Sequence, residues 1–270
     1  PLPRDLRRVW PGPGPRPVTE LLDPDTVPAP AFGLAEDVPS MITAWHVHAR
    51  PQLLYAVRGA MRLETDAHVA VLPPDRAAWI ASGTRHRVLT GRPMRLRTVY
   101  FPAEPDGGPV AVFPAPPLLR AMAVQACRWG PEPPDADWVH GFFRGFRGLV
   151  DQWRVQQLDL VLPAPRTQAL ARGLAAVEER LAHPVSLADV ARAGAMSTRT
   201  CQRRMAAELG MGFADWLTRA RLLRATTLLA DPEHQVGEVA LRCGYTSPAS
   251  FARAFRDRYG CSPSAWREGG

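Results

Sequence analysis

The chain has 270 residues, a hydrophobic fraction of 46% and a formal net charge of +7. That length accommodates two domains of ordinary size with real cores, and no apolar run approaches the ~18 residues of a membrane-spanning helix. Four cysteines, Cys127, Cys201, Cys243 and Cys261, form no CxxC pair. This argues against a zinc knuckle or a disulfide framework and for small apolar residues in a reduced, cytoplasmic protein.

Lysine is absent, so every basic side chain is an arginine. From Ala164 onward there are 15 Arg against 10 Asp and Glu, a net +5, whereas the preceding 163 residues hold 18 against 16, a net +2. The surplus sits in the smaller C-terminal part and is consistent with a nucleic-acid partner.

The opening PLPRDLRRVWPGPGPRPV is rich in Pro and Arg and lacks an apolar core. It predicts an irregular arm and no secretory signal. From about Ala44 to Phe101 the sequence reads as strands. QLLYAV, HVAVL, AAWIA and LRTVYF are short apolar runs broken by Gly, Pro or Asp, the pattern of a small β-barrel or sandwich.

Within this segment, WHVHARPQ holds His46 and His48 two residues apart. On a strand both point to the same side. Were His86, in AWIASGTRHRV, on a neighbouring hairpin, as the motif likeness given below implies, it could complete a three-imidazole face for a divalent ion such as Zn, Ni, Fe or Mn. Gln52 is a neutral and weak fourth ligand. The alternative is that the histidines are hydrogen-bonding groups of a pocket for an organic effector, with no cofactor. Trp45, Leu54 and Trp79 either line that pocket or belong to the core.

PPLLRAMAVQACRW and DADWVHGFFRGFRGLVDQW have helical periodicity, with Trp138, Phe142, Phe146, Leu149 and Trp153 near one face. This face is expected to form a homodimer surface or to pack on the strands. QLDLVLPAPR reads as a short strand and a Pro-bearing linker. Nearly everything from Thr167 on reads as helix.

The last hundred residues contain a repeat. VARAGAMSTRTCQRRMAAELG, from Val190, matches VALRCGYTSPASFARAFRDRYG, from Val239. Each copy reads as a short helix, a turn near Gly194 or Gly244, and a second helix ended by Gly210 or Gly260. Cys201, Met205 and Leu209 form an apolar stripe, as do Phe251, Phe255 and Tyr259. Arg199, Gln202, Arg203 and Ala206 lie off the first stripe. Ala249, Ser250, Arg253 and Arg256 lie off the second. Exposed Arg and Gln after a short helix and a tight turn match a helix-turn-helix that reads a major groove. FADWLTRARLLRATTLLADP, a spacer of about 19 helical residues, extends ~28 Å, close to one DNA turn of ~34–36 Å.

Residues 167 to 267 resemble the DNA-binding domain of the AraC/XylS family of bacterial transcription regulators. The resemblance is carried by Ala240, Gly244, Tyr245, Phe251, Arg253, Phe255, Arg256, Gly260, Ser262, Pro263, Trp266 and Arg267. The first copy fits through Ala191, Ser197, Arg203 and Gly210, and the resemblance implies DNA contacts from Ser197, Arg199, Gln202 and Arg203 on the first reading helix and from Pro248, Ala249, Ser250, Arg253 and Arg256 on the second. The chain departs from the family at Phe213, where Pro is usual, and at Cys201 and Met205, where Leu and Phe are usual. WHVHARPQLLYAVRG is similar to the first cupin motif through His46, His48 and Gly59, with Gln52 where that motif has a Glu ligand. AWIASGTRHRV is similar to the second through Gly83 and His86, with Ala81 in place of Pro.

These resemblances imply an α+β chain of two domains. Residues 1–162 form a cupin-like β-barrel with flanking helices that binds an effector and dimerises. Residues 167–270 form an all-α domain of two helix-turn-helix subdomains joined by a linker helix. They imply a regulator, not an enzyme, whose partners are double-stranded promoter DNA, a small-molecule or metal effector, a second copy of the chain and RNA polymerase, with no membrane. The effector is expected to act through the linker near Pro163 to Arg166. Two alternatives are a metal-dependent cupin enzyme fused to a DNA-binding domain and a ligand-free cupin that serves only for dimerisation.

Overall fold

In the computed structural model, the described residues are 16–18, 22–38, 40–74, 76–90, 93–103 and 110–268. The arm expected at the N-terminus lies, up to residue 15, outside them. The chain divides into two compact units whose main division falls between Val161 and Leu162.

The strands are β1 (Arg16–Val18), β2 (Phe32–Val38), β3 (Met41–Thr43), β4 (Gln52–Arg58), β5 (Met61–Thr65), β6 (His68–Leu72), β7 (Arg76–Ile80), β8 (His86–Thr90), β9 (Met94–Tyr100), β10 (Val110–Pro114) and β11 (Val161–Pro163); with α1 (Pro117–Trp129) and α2 (Asp137–Trp153) they build the first unit, except that β6 and β11 straddle the division. The strands form two separate sheets rather than one closed ring of hydrogen bonds. One has the order β1-β3-β8-β5-β6-β11 and the other β10-β7-β4-β9-β2. The four strands expected from QLLYAV, HVAVL, AAWIA and LRTVYF are present as β4, β6, β7 and β9. The strand region also begins earlier than Ala44, because β2 and β3 precede it.

The five-stranded sheet buries both faces. Leu53, Tyr55, Trp79, Val99, Phe101 and Phe113 pack with Leu119, Ala123 and Ala126 of α1 and Val139, Phe143, Phe146 and Val150 of α2. Gly33 of β2 permits the close approach of α1, since a Cβ there would stand 2.5 Å from the Ala126 carbonyl carbon. The buried stripe of α2 is offset from the expected one. Phe146 is shared, Phe142 and Trp153 lie at its margin, and Trp138 is 64% exposed, its ring edge-on to Trp129 at 5.7 Å. The aromatic-rich face is thus largely spent inside this unit.

The second unit contains α3 (Gln168–Glu178), α4 (Leu187–Ala193), α5 (Thr198–Arg204), α6 (Phe213–Leu229), α7 (Val236–Arg242), α8 (Pro248–Tyr259) and α9 (Pro263–Arg267), with a π-helical turn over Met205–Leu209. α6 buries Trp216, Ala220 and Leu223 but also Leu222, Ala225 and Leu229. Apolar contacts on more than one face mark a central helix. Its 17 residues extend about 25 Å, slightly less than expected. Phe213 occupies its first turn and stacks near Trp216, with centroids 6.3 Å apart.

Each copy of the repeat turns between its helices through one left-handed residue. In the second copy this is Gly244, at φ 79°. In the first it is Ala195, at φ 52°, and not Gly194. The equivalent amides after the turn, Met196 to Ala191 O and Tyr245 to Ala240 O, bond at 2.9 and 3.0 Å. The extra residue of the second copy therefore falls after Tyr245, before the second helix.

Candidate functional site

Two groups of side chains stand out, one in each unit. The first begins with α5 and α8. Both helices are capped by serine. Ser197 Oγ accepts from the Thr200 amide at 3.1 Å and Ser247 Oγ from the Ser250 amide at 3.2 Å. Such caps satisfy otherwise unpaired first-turn donors and fix where the helix begins. Cys201, Met205 and Leu209 are buried beneath the first helix, and Phe251 and Phe255 beneath the second, with Tyr259 half-buried against Trp266 at 5.0 Å.

The remaining faces point outward. Arg199, Gln202, Arg203, Pro248, Ala249, Arg253 and Arg256 are exposed. Among the described residues, the Arg199, Gln202, Arg203, Arg253 and Arg256 side chains have no ion-pair or hydrogen-bond partner. Ser197 is exposed but spends its hydroxyl on the cap. Ser250 is half-buried and its hydroxyl bonds Ser247 O at 2.9 Å. Its expected groove contact therefore competes with a bond inside the helix.

Arg204 behaves differently from its neighbour. It is half-buried, with Nη1 donating to Thr167 Oγ1 at 3.4 Å. Glu208, in the π-helical turn, accepts from the amides of Arg166 and Thr167 at 2.8 and 2.9 Å and from the Thr167 hydroxyl at 2.8 Å. Partial burial pushes this carboxyl up. The Thr167 and Arg166 bonds and the Arg204 charge outweigh it and hold Glu208 below the usual carboxylate range. The segment leading into α3 is thereby bound to the C-terminal end of the first exposed helix. Sequence reasoning missed this contact, since nothing local connects residues 167 and 208.

The second group lies between the two sheets of the β unit. His46 and His86 form an antiparallel bridge, with backbone bonds of 3.0 and 2.9 Å. Gly83, at φ 70°, makes the turn into His86, and its amide donates to His48 O at 3.0 Å. The ring centroids are 4.2 Å apart for His46 and His86, 5.0 Å for His48 and His86, and 5.9 Å for His46 and His48. One nitrogen from each ring lies within 4.8 Å of the others.

The other nitrogens fix the tautomers. Nδ1 of His46 faces Ala44 O at 2.9 Å, that of His48 faces Arg50 O at 2.6 Å, and that of His86 faces Thr84 O at 2.8 Å. A carbonyl takes a hydrogen, so each Nδ1 is the donor and each Nε2 keeps its lone pair. The Nε2 atoms of His48 and His86 are buried without a hydrogen-bond partner. Burial pushes His86 down to about 3 and also lowers His48. Three converging imidazoles, two of them with buried and unpartnered Nε2 atoms, fit a divalent ion.

Gln52 is in the same cavity. Its Nε2 donates to Tyr100 OH at 3.1 Å, and its Oε1 is buried without a partner. The cavity, of about 50 Å³, is also lined by Leu34, Glu36, Leu54, Leu96 and Thr98. Burial raises the Glu36 carboxyl, against a bond from Thr98 Oγ1 at 3.4 Å. Glu36 and Tyr100 were not anticipated. Alternation along LRTVYF could have supplied Tyr100, but Gly33 and Asp37 disguise the strand carrying Glu36.

Leu54 lines the cavity as expected; Trp79 and Trp45 do not. Trp79 is fully buried on the opposite face of the sheet, under the Arg147 guanidinium at 4.4 Å. Its odd register on β7, beside Leu53, places it there. Trp45 lies between the guanidinium groups of Arg85 and Arg87, at 4.6 and 4.9 Å.

Compared with known proteins, residues 190–269 match a family described as a helix-turn-helix domain. Over 96 residues the chain is 34% identical to the HTH-type transcriptional activator RhaS of Salmonella schwarzengrund, covering 36% of this chain and 34% of that one. Over 92 residues it is 29% identical to the activator RhaR of Mannheimia succiniciproducens, covering 34% and 33%. It thus spans about a third of the length of these curated relatives. A solved DNA-binding domain of AdpA, in complex with a target DNA, is 35% identical over 38% of this chain and 92% of that chain, with a TM-score of 0.35.

Proposed function

We propose that this chain is a sequence-specific DNA-binding transcriptional regulator of the AraC type whose β unit senses a metal ion, a small molecule, or both; the match of residues 190–269 to a helix-turn-helix domain family and the likeness to RhaS support this reading. The observation that carries the reading is the pair of serine-capped helices, each with arginines held outward and left without protein partners. On α5, Arg199, Gln202 and Arg203 offer base-edge hydrogen bonds. On α8, Arg253 and Arg256 suit phosphates, while Pro248 and Ala249 offer only small apolar contacts. Sequence discrimination then falls mainly to α5.

His46, His48 and His86 would hold a divalent ion through their Nε2 atoms. The ion would supply a fixed positive charge and an open coordination position. Occupancy would alter promoter binding through the linker near Pro163 to Arg166. Glu208 bonds directly to the last of these residues and to Thr167. A second copy of the chain would dock on the outer face of α1 and α2, where Leu118 and Trp138 are exposed. RNA polymerase is the natural further partner of such a regulator, and the cytoplasm its place of action. No reaction is assigned to the chain.

The test is binding to matched and scrambled duplexes over a range of salt, with metal analysis of tag-free protein. A matched-site preference with a steep salt slope supports the reading. Equal affinity for both duplexes would remove it.

A further inference from the structure

We infer that the imidazole cavity takes its divalent ion together with a compact monoanion of the carboxylate class, filling the role that Gln52 leaves vacant. This rests on the metal reading proposed above. The argument is one of charge in a buried place. Three imidazoles whose Nδ1 hydrogens are held by Ala44, Arg50 and Thr84 carbonyls are neutral donors, so the ion keeps both its positive charges.

Gln52 cancels none of that charge. Its side chain is inside the cavity, the residue is only 6% exposed, and its amide oxygen is unpartnered. An amide oxygen that reached the ion would add a dipole and no charge. Glu36 is the acidic side chain among the described residues lining the cavity, and it supplies at most one negative charge. Asp25 stands nearby but is exposed, and its Oδ2 accepts from the Ala49 amide at 2.7 Å. Solvent screens such a group. The Arg50 guanidinium is taken up by the carbonyls of Val27, Ala29 and Pro30 at 2.7 to 2.8 Å.

Two positive charges against at most one negative leave a surplus of at least one. Leu34, Leu54 and Leu96 on the wall give it no compensation, and an uncompensated buried charge is unfavourable. A monoanion closes the balance. Size sets its class. On this measure a cavity needs only about 10–15 Å³ to hold one water, so about 50 Å³ gives room for an ion with a ligand of a few heavy atoms, the size of formate or acetate.

The experiment is a Co(II) titration of the full chain, followed by calorimetry and visible absorption, in a non-coordinating buffer. It is run with no addition, with acetate, and with acetamide as the neutral isostere. Acetate is expected to tighten Co(II) binding at least ~10-fold, a 1.4 kcal/mol change, and to shift the absorption bands, whereas acetamide does neither. Gln52→Glu is expected to bind Co(II) more tightly without acetate and to lose the acetate effect. Co(II) binding that is indifferent to acetate in the unmodified chain overturns this inference and leaves the metal reading standing. Failure to bind Co(II) at all overturns both.

Discussion

Arg203 and Arg204 are adjacent in sequence and opposite in use. Arg203 is exposed and unpaired, whereas Arg204 turns inward to Thr167. Arg203→Ala should therefore weaken matched-site binding by about 1–3 kcal/mol if the guanidinium makes a bidentate base contact, with a smaller loss on scrambled DNA, as read by titration of both duplexes. Glu208 gives a pH prediction. Its folded pKa lies below the ordinary value of 4.5, so its stabilisation is full above that value and is lost as pH falls through the lowered one. Glu208→Gln should lower the melting temperature at neutral pH and flatten the acid limb of the stability profile, measured by thermal denaturation from pH 7 to 3. His46 and His48, found by spacing, and His86, found by motif likeness, do converge. The fixed tautomers were not legible, because the carbonyls that set them depend on loop conformation.

Among the elements, the repeat exposes a local strain. Gly244 adopts its left-handed turn freely, but Ala195 holds the same conformation at φ 52° with a Cβ in the way. A left-handed L-residue costs about 1–2 kcal/mol. Ala195→Gly should stabilise the helical unit by about 1 kcal/mol after the larger unfolded-state entropy of glycine is deducted, and chemical denaturation would show it as a raised midpoint. The sequence pointed to Gly194 because glycine is the usual turn residue, and only the backbone shows which position has positive φ. Strands misled in a similar way. β7 is buried throughout, so RAAWI carries no polar alternation to say which side faces the cavity, and the sequence left Trp79 between the cavity and the core. On α2, aromatic residues occupy neighbouring stripes, and packing on the sheet selected the one through Val139 and Val150.

For the whole molecule, the charge distribution makes a measurable claim. If the helical unit binds DNA as proposed, its net +5 from Ala164 onward should make that affinity fall steeply with salt. With Arg253 on a phosphate, as proposed, Arg253→Ala should weaken matched and scrambled sites alike and reduce the salt slope by about one. The sequence by itself determined the two-part organisation, the duplicated helix pairs and their outward arginines, and the three histidines, because each is written in local periodicity or in matched spacing along the chain. Tertiary structure alone decided the two-sheet arrangement, the side of the sheet taken by Trp79, the entry of Glu36 and Tyr100 into the cavity, and the bond from Glu208 to the start of α3. Those depend on which residues distant in sequence share a buried space, and that is settled by packing and by the need to pair every buried polar group.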